Sequence, residues 1–111
     1  MKYCTDPSQK EGTAYYELYK GKWDKETFWS DDSLLISDRI YCQYPAFFRL
    51  LHKIIPSFDP YGITEVSEDQ WKQIAQELSG KSPDAQEIFD EIDTWAADVF
   101  KKYGCFTILG L

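Results

Sequence analysis

Carboxylates dominate the reactive side chains of this 111-residue chain: 19 Asp and Glu stand against 12 Lys and Arg, for a net charge of −7. Several are adjacent, as in Asp31-Asp32, Glu68-Asp69 and Asp90-Glu91. Facing carboxylates could hold a cation or share a proton, but sequence neighbours on a helix do not face one another, so these pairs read as solvated charge. His52 is the single imidazole and lies beside an apolar stripe, where a structural or partly exposed role is expected. Cys42 precedes it at a spacing with no known mechanical meaning. Cys4, Cys42 and Cys105 are odd in number, far apart and without a CxxC pair, so they read as free thiols, Cys4 exposed and the other two buried. No GxGxxG, GxxxxGK[ST] or GxSxG motif occurs. The expectation is a protein that is not an enzyme and carries no cofactor and no metal.

The charge then speaks to partners. A pI near 4.6 disfavours binding to nucleic acid through phosphate and attracts a basic macromolecule. The candidate contacts are Asp31, Asp32, Glu87, Asp90, Glu91 and Asp98, with Trp23 and Trp29 as candidate aromatic anchors. The start Met-Lys-Tyr-Cys-Thr-Asp-Pro lacks the apolar core of a signal peptide, and no run approaches the roughly 18 apolar residues of a membrane span. A cytoplasmic protein with no membrane contact is expected.

The element that must position most of these carboxylates is a helix from Ser82 to Gly104. Ser82 supplies an N-cap oxygen, Pro83 suits the first helical position, and Gly104 can end the helix in the left-handed conformation. Ile88, Phe89, Ile92, Trp95, Ala96, Val99, Phe100 and Tyr103 recur on one face, while Glu87, Glu91 and Asp98 lie together on another with Asp90 nearby. Ser67-Glu68-Asp69-Gln70 is a capping box opening a second helix, with Val66 and Trp71 at the staple positions and an end near Ser79-Gly80. Ser37 caps a further helix near 38–55, in which Pro45 either interrupts the helix or begins a second one.

Residues 1–12 are polar and read as a loose lead-in. Thr13–Tyr19 alternates as a strand, with a helix as the alternative there; a brief strand follows around 27–29 and another, or an irregular segment, around 34–36; Ile63–Val66 is extended, and Cys105–Leu109 reads as a C-terminal strand covered on both faces. The predicted class is α+β, helix-weighted, in one domain over 1–111. Its main helices lie near 38–55, 67–79 and 83–103 and pack with a few short strands, including 105–109.

The stretch Phe58-Asp59-Pro60-Tyr61-Gly62-Ile63-Thr64-Glu65-Val66-Ser67, followed by Gln70-Trp71 and Ile74, resembles the Tyr-Gly-x-Thr-x-Ile/Val then Trp-x-x-Ile pattern of small immunity proteins of bacterial toxin systems, including contact-dependent growth inhibition. The region Ser37–Ile55 resembles the helix preceding that pattern. The motif describes a turn, an extended link and a capped helix, so it implies a fold element and a partner class, not a set of binding residues. On this resemblance the expected function is neutralisation of a cognate toxin domain by stoichiometric occlusion, with a basic nuclease as the partner that the charge suits. Two other readings stay open. One is a small enzyme or ligand-binding domain with an aromatic pocket including His52; the other is an acidic adaptor that mimics nucleic-acid charge.

Overall fold

A computed structural model describes residues 1–78 and 82–111. Its organising layer is a five-stranded, wholly antiparallel sheet in the order β1-β3-β2-β5-β4, built from β1 (Cys4–Thr5), β2 (Tyr15–Lys20), β3 (Leu34–Ser37), β4 (Ile63–Ser67) and β5 (Cys105–Leu109). Four α-helices complete the described residues: α1 (Asp38–Gln43), α2 (Pro45–Ile54), α3 (Glu68–Leu78) and α4 (Pro83–Tyr103). The class is α+β. The expected end of α3 near Ser79-Gly80 lies outside the described residues.

Alternation along the strands separates two faces. Tyr16, Leu18, Leu34, Ile36, Val66, Phe106 and Ile108 share one face and pack with α2, α3 and α4 in a single core. Trp71 of α3 joins the layers: it stacks on Phe89 of α4 at 4.4 Å, meets Phe106 of β5 edge-on at 5.5 Å, and donates its indole N–H to Asp93 at 2.9 Å. A buried indole is stable there because its polar end is satisfied while its rings stay apolar. The space left among Tyr16, Phe47, Trp71, Phe106 and their neighbours is about 10 Å³, at most the room of one water molecule.

The local signals account for most element ends. Ser82 accepts the Ala85 amide and Gly104 takes φ 78°, so α4 is capped at both ends as its sequence predicts. The capping box closes reciprocally: the Ser67 hydroxyl accepts the Gln70 amide at 3.2 Å, and the Gln70 side chain accepts the Ser67 amide at 2.9 Å. Pro45 starts a separate helix. The residue before a proline is disfavoured in helical geometry, and Tyr44 (φ −125°, ψ 68°) breaks the 38–55 segment into α1 and α2.

The opening segment differs from a loose lead-in. Cys4–Thr5 pairs with Leu35 and Ile36 at the sheet edge, and Tyr3 and Cys4 are buried. The three thiols sort accordingly: Cys4 is buried, Cys42 is exposed and Cys105 is half-buried, which reverses the expectation for Cys4 and Cys42. No strand forms at 27–29. Residues 22–33 instead run as an irregular loop tied to the second face of the sheet through Glu17, for reasons given below.

Candidate partner-binding site

The six candidate carboxylates do not form a single group. Asp31 and Asp32 sit in the turn before β3, closed by the Ser33 amide donating to the Ser30 carbonyl at 3.0 Å. That turn is held against α4 by Trp95, whose indole N–H donates to the Asp32 carbonyl at 3.0 Å. Asp6, Asp31, Asp32 and Glu91 therefore line one open cleft of about 400 Å³ together with Lys20, Thr94 and Trp95. Lys20, half-buried, reaches the exposed Asp32 at 3.8 Å, a pair of small energetic weight.

Glu91 has a structural task that its place on the acidic stripe does not reveal. Its two oxygens accept the backbone amides of Lys2, Tyr3 and Cys4 at 2.9 to 3.2 Å. One carboxylate thus fastens the chain start to α4, and burial followed by this nearby charge pushes the Cys4 thiol well above its ordinary pKa. Glu87, one turn earlier, meets Lys2 at 3.5 Å and accepts from the Tyr3 hydroxyl at 3.4 Å. Asp90 accepts from Gln86 at 2.9 Å and is exposed; Asp98 is exposed farther along the helix. The structure joins Asp31, Asp32 and Glu91 in one cleft and leaves Glu87, Asp90 and Asp98 outside its lining.

The two candidate anchors belong to the 22–33 loop. Trp29 packs edge-on against Tyr15 at 6.4 Å with the Lys10 ammonium 4.8 Å from its ring, and Trp23 lies 5.1 Å from Phe28. Both tryptophans are partly covered; Phe28, between them in sequence, is the exposed ring of the loop, with 58% of its surface accessible.

Glu17 explains the loop's position. It projects from β2 on the face away from the helices and is 1% exposed. Its Oε1 accepts the Trp29 amide at 2.7 Å, and its Oε2 accepts the Ser30 amide at 3.0 Å and the Ser33 hydroxyl at 2.6 Å. A buried carboxylate is tolerable when several donors replace its lost water, and three do so here. Alternation along Thr13–Tyr19 puts Glu17 with Tyr15 and Tyr19 on one strand face, and that pattern alone foretells no buried clamp. A lone acid within a run of aromatic strand formers was the available signal.

The other end of the loop is fixed by Asp24. Its Oδ1 accepts the Glu26 and Thr27 amides at 2.9 and 2.8 Å, and its Oδ2 accepts the Thr27 hydroxyl at 2.5 Å. These bonds, the Thr27 hydroxyl first, lower the Asp24 pKa to about 2. Trp23 adds a bond from its indole N–H to the Thr27 carbonyl at 2.6 Å.

Compared with protein-family models, curated proteins and solved structures, the chain matches none. The stretch from Phe58 to Ile74 builds a turn, an edge strand and a capped helix. Asp59 accepts the Gly62 amide on its carbonyl at 3.1 Å, the Gly62 and Pro60 carbonyls accept the Gly110 and Leu111 amides at 2.8 and 2.9 Å, and β4 runs directly into the capped α3. The motif closes the chain end onto the sheet.

His52 is exposed, edge-on to Phe58 at 6.1 Å, and borders a shallow depression with Tyr41, Pro45, Phe48, Arg49 and Lys53. It does not line the filled aromatic core. Among the described residues no group of three or more His, Cys, Asp or Glu side chains is arranged to hold a metal ion, and no helix is long and apolar enough to cross a membrane.

Proposed function

We propose that this chain is an immunity-type inhibitor: it binds a basic protein partner, of the class of a bacterial toxin domain, and blocks that partner stoichiometrically. The observation that carries the reading is the convergence of Asp6, Asp31 and Asp32, with the amide-bound Glu91 beside them, from three separate chain segments around one open cleft that also holds Lys20 and Trp95. Carboxylates gathered this way steer a cationic surface toward the cleft and pair with its Lys and Arg, and the net charge of −7 extends the attraction beyond contact distance. A nuclease whose positive groove would otherwise hold phosphate is the partner such a surface suits, because carboxylates can take the place of the phosphates. The motif between Phe58 and Ile74, similar to that of small immunity proteins, supports the same partner class.

The experiment is recovery of the partner from source cells on the immobilised wild-type chain at low salt, its identification by mass spectrometry, and measurement of binding and of toxicity with purified components. The reading predicts a 1:1 complex with a basic protein, weakened by salt, in which the partner's activity is lost. A partner of neutral or acidic character, or a complex in which the partner stays fully active, contradicts it.

A further inference from the structure

Phe28 is one of the large apolar side chains left in solvent, with 58% of its surface accessible. Single exposed rings are ordinary on protein surfaces. What sets Phe28 apart is the backbone that carries it. Thr27, on one side, is fixed by Asp24 through its amide and hydroxyl and by the Trp23 indole through its carbonyl. Trp29, on the other side, is fixed by the buried Glu17 carboxylate through its amide. Both chain neighbours of the ring are tied down, so the loop has little freedom to fold Phe28 back onto the protein.

The loop also holds two residues in a conformation that side chains disfavour: Lys25 at φ 68° and Trp29 at φ 58°. For a residue as bulky as Trp this is a real outlier, and it persists only where the surroundings over-determine it. Here the determinants are the Asp24 and Glu17 hydrogen bonds, and what they present is an exposed ring backed by Trp23 at 5.1 Å. Charge indicates what covers it. Asp24, Glu26, Asp31 and Asp32 stand within four residues of Phe28 in sequence; Lys25, Lys20 beside Asp32 and Lys10 over the Trp29 ring offset part of this charge, and the chain as a whole keeps a net −7.

We infer that Phe28 is the apolar anchor of the interface with a basic protein, its ring seated in a partner pocket bordered by Lys or Arg, with Trp23, Asp24 and Glu17 acting as positioning residues that hold it ready. The inference rests on the reading of the chain as a binder of a basic protein and names the residue that dominates its affinity. An anchor prepared in this way avoids the cost of ordering a loop on binding, and rings of this kind carry a disproportionate share of interface energy.

The test uses the full chain and the protein recovered on the wild type at low salt, re-expressed and purified as the probe. Phe28→Ala, at an exposed site, is expected to leave folding unchanged and to weaken binding about 100-fold, chiefly through faster dissociation. Tyr61→Ala, at a comparably exposed ring outside the loop, is expected to change binding less than about threefold. Glu17→Gln, read by hydrogen exchange of residues 22–33 as well as by affinity, is expected to loosen the loop and weaken binding in parallel. Equal binding by wild type and Phe28→Ala overturns the anchor and leaves the basic-partner reading standing. Failure of the wild type to retain any basic protein overturns both. A wild-type homodimer or vesicle-bound form that Phe28→Ala abolishes overturns the inference, because the occupant is then a second copy or a lipid surface.

Discussion

Glu17 and Trp29, separated by twelve residues, are joined by a hydrogen bond of 2.7 Å from the Trp29 amide to a carboxylate with almost no exposure to solvent. The Ser30 amide and the Ser33 hydroxyl share the same carboxylate, so one side chain fixes the second half of the loop. Replacing Glu17 with Ala leaves those donors without an acceptor. We expect a loss of about 2–4 kcal/mol in urea unfolding, with Glu17→Gln costing less because one amide oxygen remains. A loss below about 0.5 kcal/mol for the Ala variant would show that the loop is held by other contacts.

Glu91 performs the equivalent task for the chain start. Glu91→Ala removes the acceptor of the Lys2, Tyr3 and Cys4 amides, and these amides should lose hydrogen-exchange protection while the centre of α4 keeps it. The Cys4 thiol, buried and held protonated in the wild type, should react with a thiol reagent faster in the variant, while exposed Cys42 and half-buried Cys105 react as in the wild type. Unchanged Cys4 reactivity in the variant would contradict the clamp.

Asp24 sets a pH window for the loop. Its folded pKa, about 2, lies below the ordinary value of 3.8, so its contribution is complete above about pH 4 and is lost as pH falls through 2. The Trp23 and Thr27 NMR signals should therefore hold steady from neutrality to about pH 4 and shift below it. In Asp24→Ala that acid transition should disappear.

The chain end depends on Gly110. A Cβ at this position would lie 2.4 Å from the Pro60 carbonyl oxygen and 2.9 Å from the Gly62 nitrogen, both of them backbone atoms that cannot swing aside. Gly110→Ala should destabilise by about 1–3 kcal/mol, whereas Gly12→Ala, with nothing near its Cβ, should register only the strain of its φ of 80°. Equal effects in thermal melts would refute the close approach.

How much of this was legible in the sequence follows from range. The caps of α4 and the box at Ser67 and Gln70 are contacts between residues a turn apart, and they appear where local pattern puts them. β5 reads as covered on both faces because its residues other than Thr107 are apolar, and Phe106 through Leu109 are all buried. The failures are long-range. Cys4 looked exposed within a polar segment because its burial depends on Glu91, 87 positions away. The segment 27–29 has strand-forming residues but no strand, since its amide hydrogen bonds go to Asp24 and Glu17 instead of a neighbouring strand. In the candidate site, Asp31, Asp32 and Glu91 were identified by charge alone, while the Trp95 contact that brings them together spans 63 positions.

The most direct test of the account is the affinity of the purified chain for its recovered basic partner as a function of salt, compared among wild type, the double variant Asp31→Lys/Asp32→Lys, and Asp98→Lys. If the cleft beside Trp95 receives the partner, wild-type affinity falls steeply with salt, the double reversal weakens binding by at least about 100-fold and flattens the salt dependence, and Asp98→Lys has a small effect. Binding that ignores salt and survives the double reversal would contradict the account.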